Sequence, residues 1–333
     1  MKGLRAIAQS MSLTLADLFT SPDHYLQSWE GNSAIFVPMD RAAYHRSIFL
    51  DHRVSPAANR AMRLPLTALT GEAPRPSATG WIFHVAHCGS TLLARALDDP
   101  DLNLVLREPL ALRQLAITGH RERLSLTAAM LSKRYREDLP TIVKANVPVN
   151  FLLPDIVALD PDARAIFLHS SLRDYLLAIL RDENHRSWLQ RVTAQLSLYL
   201  GDLSNLSDAE RCAALWLAQM RAFTGAISLM PNARALNSEV FFAKPGPVLK
   251  AAAAHFGVPM DDSAIEAIVE GPLFATYSKN PELPFDNEAR LARRAEVEES
   301  LAPELAQGEA WIEAAAGTGA PADCAFAQAA LTT

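Results

Sequence analysis

From residue 80 onward, short apolar runs alternate with longer stretches in which apolar positions recur every three or four residues. The apolar runs at 81–86, 102–106, 141–145, 164–169 and 233–237 are too short for helices, and they predict five strands. The intervening periodicity predicts helices at 92–97, 110–117, 121–136, 170–181, 184–200 and 207–230. A further helix at 247–256 is closed by Gly257, and a charged one spans 287–304. Strand and helix in alternation predict a three-layer α/β fold, a mainly parallel five-stranded sheet with helices on both faces. In that arrangement the strand at 102–106 is expected beside the strand at 81–86.

The pattern changes before residue 80. Residues 13–19 read as a short helix with Ser12 as its cap, and 33–38 as a strand ended by Pro38. Residues 44–51 are mixed, and 71–80 are rich in turn formers, which suits a linker into the central strand. The expected organisation is an accessory segment at 1–79, an α/β domain at 80–313 and a loosely held, alanine- and glycine-rich tail at 314–333. No internal repeat or heptad is visible.

Of the 333 residues, half are hydrophobic and a fifth are charged, so a substantial core can be buried. A formal net charge of −6 argues against general nucleic-acid binding, which needs a basic surface. It leaves room for one local basic pocket. Cys88, Cys212 and Cys324 are far apart and lack metal-ligand spacing, which suits a reducing compartment. Residues 1–10 carry no long apolar run, and no uninterrupted apolar segment spans a bilayer, so a cytoplasmic protein with no membrane partner is expected.

Candidate chemistry gathers at residues 81–97. An apolar strand turns through His87-Cys88-Gly89-Ser90-Thr91 and continues as Leu92, Leu93, Ala96 and Leu97 with helical spacing. Strand, tight turn and helix in that order make an anion cradle, because turn amides and the positive end of the helix dipole point to one spot. A side chain at Gly89 is expected to stand between backbone and anion. Ser90 and Thr91 add hydroxyl donors. The usual ATP-binding loop needs glycine at position 84 and lysine at position 90, where this chain has His84 and Ser90. The bland alternative is a strand–turn–helix unit whose glycine only eases a turn.

The segment Ala86-His87-Cys88-Gly89-Ser90-Thr91 resembles the 5′-phosphosulfate loop of sulfotransferases, P-[KR]-S-G-T-[TS], in its glycine and both hydroxyls. Proline, the basic residue and the first serine are replaced. The resemblance implies a P-loop nucleoside triphosphate hydrolase-like fold and 3′-phosphoadenosine 5′-phosphosulfate as donor, with no metal required. The resembling family places a general base after the second strand, where this chain has Arg107-Glu108-Pro109, making Glu108 the candidate. Pairing with Arg107 or helix capping is its structural alternative. Lys144, at the end of the third strand, is a candidate cation for the transferring group, or a solvated strand-end lysine. The family's 3′-phosphate element, R-[DN]-P-R-D, is matched only in its second half by Arg173-Asp174, with Ser170 nearby and Arg181 and Arg186 as spare cations. Ser238–Phe242 before the 247–256 helix also follows the family's order of elements. A late loop at 271–285 reads as plain surface, although Tyr277, Ser278 and Lys279 are placed to close over a nucleotide.

The expected function is sulfuryl transfer from that nucleotide donor to the hydroxyl or amine of a small-molecule acceptor. Loop residues His87 to Thr91 would hold the 5′-phosphosulfate, Lys144 and His87 would offset growing charge, and Glu108 would take the acceptor's proton. Two alternatives stand beside it: a magnesium-dependent P-loop phosphotransferase using ATP, and a nucleotide-binding or interaction protein without catalysis. His84 and His87 lie three apart with no evident third ligand, which gives no metal site.

Overall fold

The five apolar runs become five parallel strands in this computed structural model, which describes residues 13–316 and 323–332. Three strands build the accessory layer: β1 (His24–Glu30), β2 (Ser33–Pro38) and β3 (Met62–Pro65) form an antiparallel sheet in that order. The main sheet holds β4 (Thr79–His84), β5 (Leu104–Arg107), β6 (Thr141–Lys144), β7 (Ala165–His169) and β8 (Ala233–Asn237). Their order is β5-β6-β4-β7-β8, and every neighbouring pair is parallel. Every residue of β4, β5 and β6 is buried, because flanking helices cover the sheet and leave no polar face to alternate with.

This order corrects one expectation. β5 does not neighbour β4; β6 lies between them, with Trp81 opposite Val143 and Leu106 opposite Val143 on its other side. Sequence order says nothing about such an insertion, but the edge suits β5. Leu50 N donates to Arg107 O (2.7 Å) and Leu50 O accepts from Leu110 N (3.2 Å), so the accessory segment covers the outer side of this strand. At the other edge, Ala235 in β8 exchanges hydrogen bonds with Ala329 and Leu331 (2.7 and 2.8 Å). Each edge of the sheet is thus bonded by the chain itself at one strand residue, Arg107 in β5 and Ala235 in β8.

The accessory layer packs β1 on the helices Leu110–Thr118 and Leu124–Leu131. The side chain of Gln114 bonds both backbone groups of Trp29 (2.7 and 3.0 Å), substituting for a strand partner. Several boundaries differ from expectation. The first helix is Leu15–Thr20, capped by Thr14 in a capping box with Asp17; Ser12, read as its cap, lies outside the described residues. The helix expected at 121–136 is a single 3-10 turn followed by Leu124–Leu131, since the polar run after it has no apolar face to bury. The 184–200 helix is broken into Glu183–Gln195 and Ser197–Leu200.

The late segment is more ordered than a surface loop. Pro272–Ala275 is a helical turn, and β9 (Thr276–Tyr277) pairs with β10 (Asn280–Pro284) as a hairpin. Its aromatic residues explain the order: Phe274 packs on Phe241, and Tyr277 and Phe242 both pack on Phe285. Beyond it, the helix Asn287–Ser300 buries no residue and is held by charge. Arg290 pairs with Glu239, Arg294 with Asp174, and Glu298 with Arg173. In the region expected as a loose tail, residues 323–332 form the helix Asp323–Gln328, bury Phe326 and reach β8.

Candidate active site

β4 ends at His84, and the chain turns through residues 85–89 into the helix Ser90–Ala96. Gly89 caps that helix in the left-handed region at φ 84°. His87 also has a positive φ, 61°, which a non-glycine residue holds only at a cost of about 1–3 kcal/mol. The turn is pinned by Cys88, whose thiol donates to Val85 O (2.7 Å). Burial pushes that thiol up to about 11, so it stays protonated. The amides of the first helical turn have no carbonyl behind them, as at any helix start. Thr91 Oγ1 is buried without a hydrogen-bond partner.

Facing this turn are the ends of β5 and β6. The Lys144 side chain is fully buried, and its Nζ donates to Glu108 Oε1. Glu108 is the second non-glycine residue in the left-handed region, at φ 57°, and its amide donates to Lys144 O (2.7 Å). Burial works against charge on Glu108, but Lys144, aided by His84 and Lys279, outweighs it and holds the carboxyl at about 2. Two strained backbones in one described chain, both at this site, are what a functional geometry held by its surroundings looks like. His84 Nδ1 lies 3.0 Å from Val85 O, and its Nε2 lies 3.9 Å from Glu108 Oε1. Burial, then Lys144, pushes His84 down to about 3.

The His87 ring lies against His185 (centroids 3.9 Å apart) and edge-on to Trp188 (5.6 Å). Burial, followed by Lys279 and His185, holds His87 well below the usual histidine range. Burial thus opposes a positive charge on His87, whose expected role is to offset charge on the transferring group. Lys279, at the exposed tip of the hairpin, is near enough to bias His84, His87, Cys88, Glu108, Lys144 and His185. Arg95, in the last turn of the loop helix, anchors that tip by donating to Ser278 O (2.9 Å). Arg181 biases His87 and His185 from the side. The site is thus locally positive inside a negatively charged protein.

Other expected residues sit differently. Arg107 does not share the crevice with Glu108. Its guanidinium is buried on the opposite side, bonded to Asp98 and to the carbonyls of Tyr44, His45, Ser47 and Ile48. Adjacent residues at a strand end point to opposite faces, and the carbonyl cluster claims this one. Arg173 is committed to Glu298 (2.6 Å) and Glu309 (2.7 Å), so a phosphate there has to displace two carboxylates. Arg186 is likewise held by Glu304 and Asp208. Ser170 is buried, and its carbonyl accepts from Trp216 Nε1 (3.1 Å). A Cβ on Gly89 does not meet an open anion cradle; it meets Phe242 Cζ at 2.9 Å.

Sequence reasoning missed His185, Trp188 and Phe242 as neighbours of the loop, and it set His84 aside. The three-residue spacing of His185 and Trp188 places them on one helix face, but no local signal points that face at His87. Among the described residues no group of three or more metal-ligating side chains converges, and no helix is long and apolar enough to cross a membrane.

No family model and no curated protein matches the chain. Among solved structures it is similar to a sulfotransferase from Alicyclobacillus acidocaldarius, at 16% identity and a TM-score of 0.37, covering 72% of this chain and 96% of that one. It is also similar to the sulfotransferase domain of the curacin biosynthetic pathway, at 13% identity and a TM-score of 0.38, covering 59% of this chain and 78% of that one. At TM-scores this low the fold assignment rests on the strand order and the strand–turn–helix of β4, not on these likenesses.

Proposed function

We propose that this chain transfers a sulfuryl group from 3′-phosphoadenosine 5′-phosphosulfate to a small-molecule acceptor. The observation that carries the reading is the buried Lys144–Glu108 pair set against the loop whose Thr91 hydroxyl has no partner. An anionic donor fits these residues: the first-turn amides, Ser90 and Thr91 hold its phosphosulfate, with the backbone of His87, Cys88 and Gly89 shaping the turn. Lys144 offsets charge on the transferring group from a site where burial makes each charge count for more. Glu108, kept ionised, accepts the acceptor's proton. Lys279 and Ser170 are assigned to the donor as well, and Arg181 serves its distal phosphate in place of the committed Arg173. The chemistry needs no metal, because side-chain cations and backbone dipoles carry the charge.

The test is a thermal shift with adenosine 3′,5′-bisphosphate and with ATP, each with and without magnesium. The bisphosphate should raise the melting temperature without magnesium, by the equivalent of about 2.7 kcal/mol at a hundredfold excess over Kd. A response to magnesium-ATP alone would instead indicate a phosphotransferase. Phe242 over Gly89 and the occupied Arg173 favour a second reading, a protein that keeps the fold without the nucleotide. No response to any of these ligands would select it.

A further inference from the structure

The backbone that enters the loop after β4 is bonded by a side chain the proposed chemistry does not use. Ala145 N donates to Ile82 O (3.0 Å), and β6 then leaves the sheet for the 3-10 turn Val147–Leu152. Two residues further along β4, His84 O points to the same side, where the next amide of β6 is no longer present. Asn150, in that 3-10 turn, fills the place: its Nδ2 donates to His84 O at 3.0 Å. The carbonyl that follows, Val85 O, is likewise met by side chains, Cys88 Sγ at 2.7 Å and His84 Nδ1 at 3.0 Å. The turn therefore takes its shape from side-chain bonds where the ladder has run out.

Asn150 is itself held. Its Nδ2 also donates to Gln219 Oε1 (2.9 Å), and Gln219 Nε2 donates to Leu215 O (3.2 Å) and Tyr175 Oη (3.3 Å). A backbone carbonyl only accepts, so His84 O fixes which way the Asn150 amide faces, and Leu215 O does the same for Gln219. The two orientations agree, which leaves one consistent chain from the helices Asp208–Ile227 and Leu172–Leu180 to the end of β4. Asn150, Gln219 and Tyr175 are fully buried, and Asn150 Oδ1 has no partner. Apolar residues of the same size would fill this space without burying polar groups. What they cannot supply is the bond to His84 O.

We propose that Asn150, braced by Gln219, is a positioning residue for the loop: it fixes His84 O and so sets the start of the turn that carries the left-handed His87 and Gly89. Amides that are aimed before a ligand arrives bind it without the cost of ordering them. The ligand named for the loop rests on the sulfuryl-transfer reading above; the fixing of its backbone does not.

The experiment uses the full chain and three variants, Asn150→Leu, Gln219→Ala and Gln114→Ala. The last gives up the two hydrogen bonds to Trp29 in the accessory layer and controls for lost stability alone. Hydrogen exchange of the amides of residues 85–91, without ligand, should be about tenfold faster in Asn150→Leu, as the loss of one hydrogen bond allows. Calorimetric titration should show adenosine 3′,5′-bisphosphate binding about tenfold more weakly in the same variant. Gln114→Ala should change neither quantity. If Asn150→Leu does not fold, Gln219→Ala decides, since it unbraces Asn150 without touching the loop; both effects should then be about threefold. Unchanged exchange at 85–91 would overturn the proposal, as would an equal change in Gln114→Ala. Faster exchange in a chain whose wild type binds no bisphosphate would uphold the role of Asn150 and remove the transferase reading instead.

Discussion

Glu108 combines a left-handed backbone with a buried charge, and the pH dependence of stability should report it. Its carboxyl is held at about 2 against an ordinary 4.5, so between these values the unfolded chain binds more protons than the folded one. Its contribution is therefore full above 4.5 and is lost as pH falls toward 2. His84, pushed to about 3 from 6.5, acts in the same direction over a higher window: folding keeps it neutral, and acid favours the unfolded, protonated form. Urea midpoints should fall steadily from pH 6.5 downward. In Glu108→Gln the slope below pH 4.5 should flatten and kcat should drop by roughly 10²–10⁴-fold, with bisphosphate affinity little changed. An unchanged slope would show that the Lys144 contact does not hold the carboxyl down. Near-normal turnover would remove Glu108 as the base.

At the scale of elements, the loop helix is built more tightly than its sequence suggests. Gly89 is needed twice, for its positive φ and because the ring of Phe242 fills the space of a Cβ. Gly89→Ala should lose roughly 1–3 kcal/mol in denaturant titration, from strain and overpacking together. Adding Phe242→Ala to it should relieve only the steric part, so the double variant should be less destabilised than the two single losses added. Full additivity would place Phe242 away from the loop. The alternation of apolar runs and helical stretches made the five strands and the β4 turn legible, because both are set locally. Long-range pairing was not legible. Nothing in 102–108 says that β6 will insert beside β5 or that Arg107 will turn to the carbonyls of residues 44–48. Arg173 was a fair candidate by position, yet its partners Glu298 and Glu309 lie on helices whose docking leaves no mark in the local pattern.

For the whole molecule, the late pairing at the edge of β8 has a consequence in time. β8 is complete at Asn237, but the residues that bond its outer side are Ala329 and Leu331. At synthesis rates of roughly 5–20 residues per second, the edge of β8 stands unpaired for about 5–20 seconds in every nascent chain. During that interval its free amides and carbonyls can pair with any extended segment that arrives first, including the same strand of a neighbouring chain. A chain stopped after residue 322 makes this condition permanent. At micromolar concentration it should elute as larger species than the full chain in size-exclusion chromatography with light scattering. Supplying a peptide of residues 323–332 in trans should return it to the size of the full chain, since that segment competes for the same hydrogen bonds. If the shortened chain matches the size distribution of the full chain, the edge is guarded by something other than this segment. The segment that reads as an expendable tail is then the part of the fold on which each newly made copy waits.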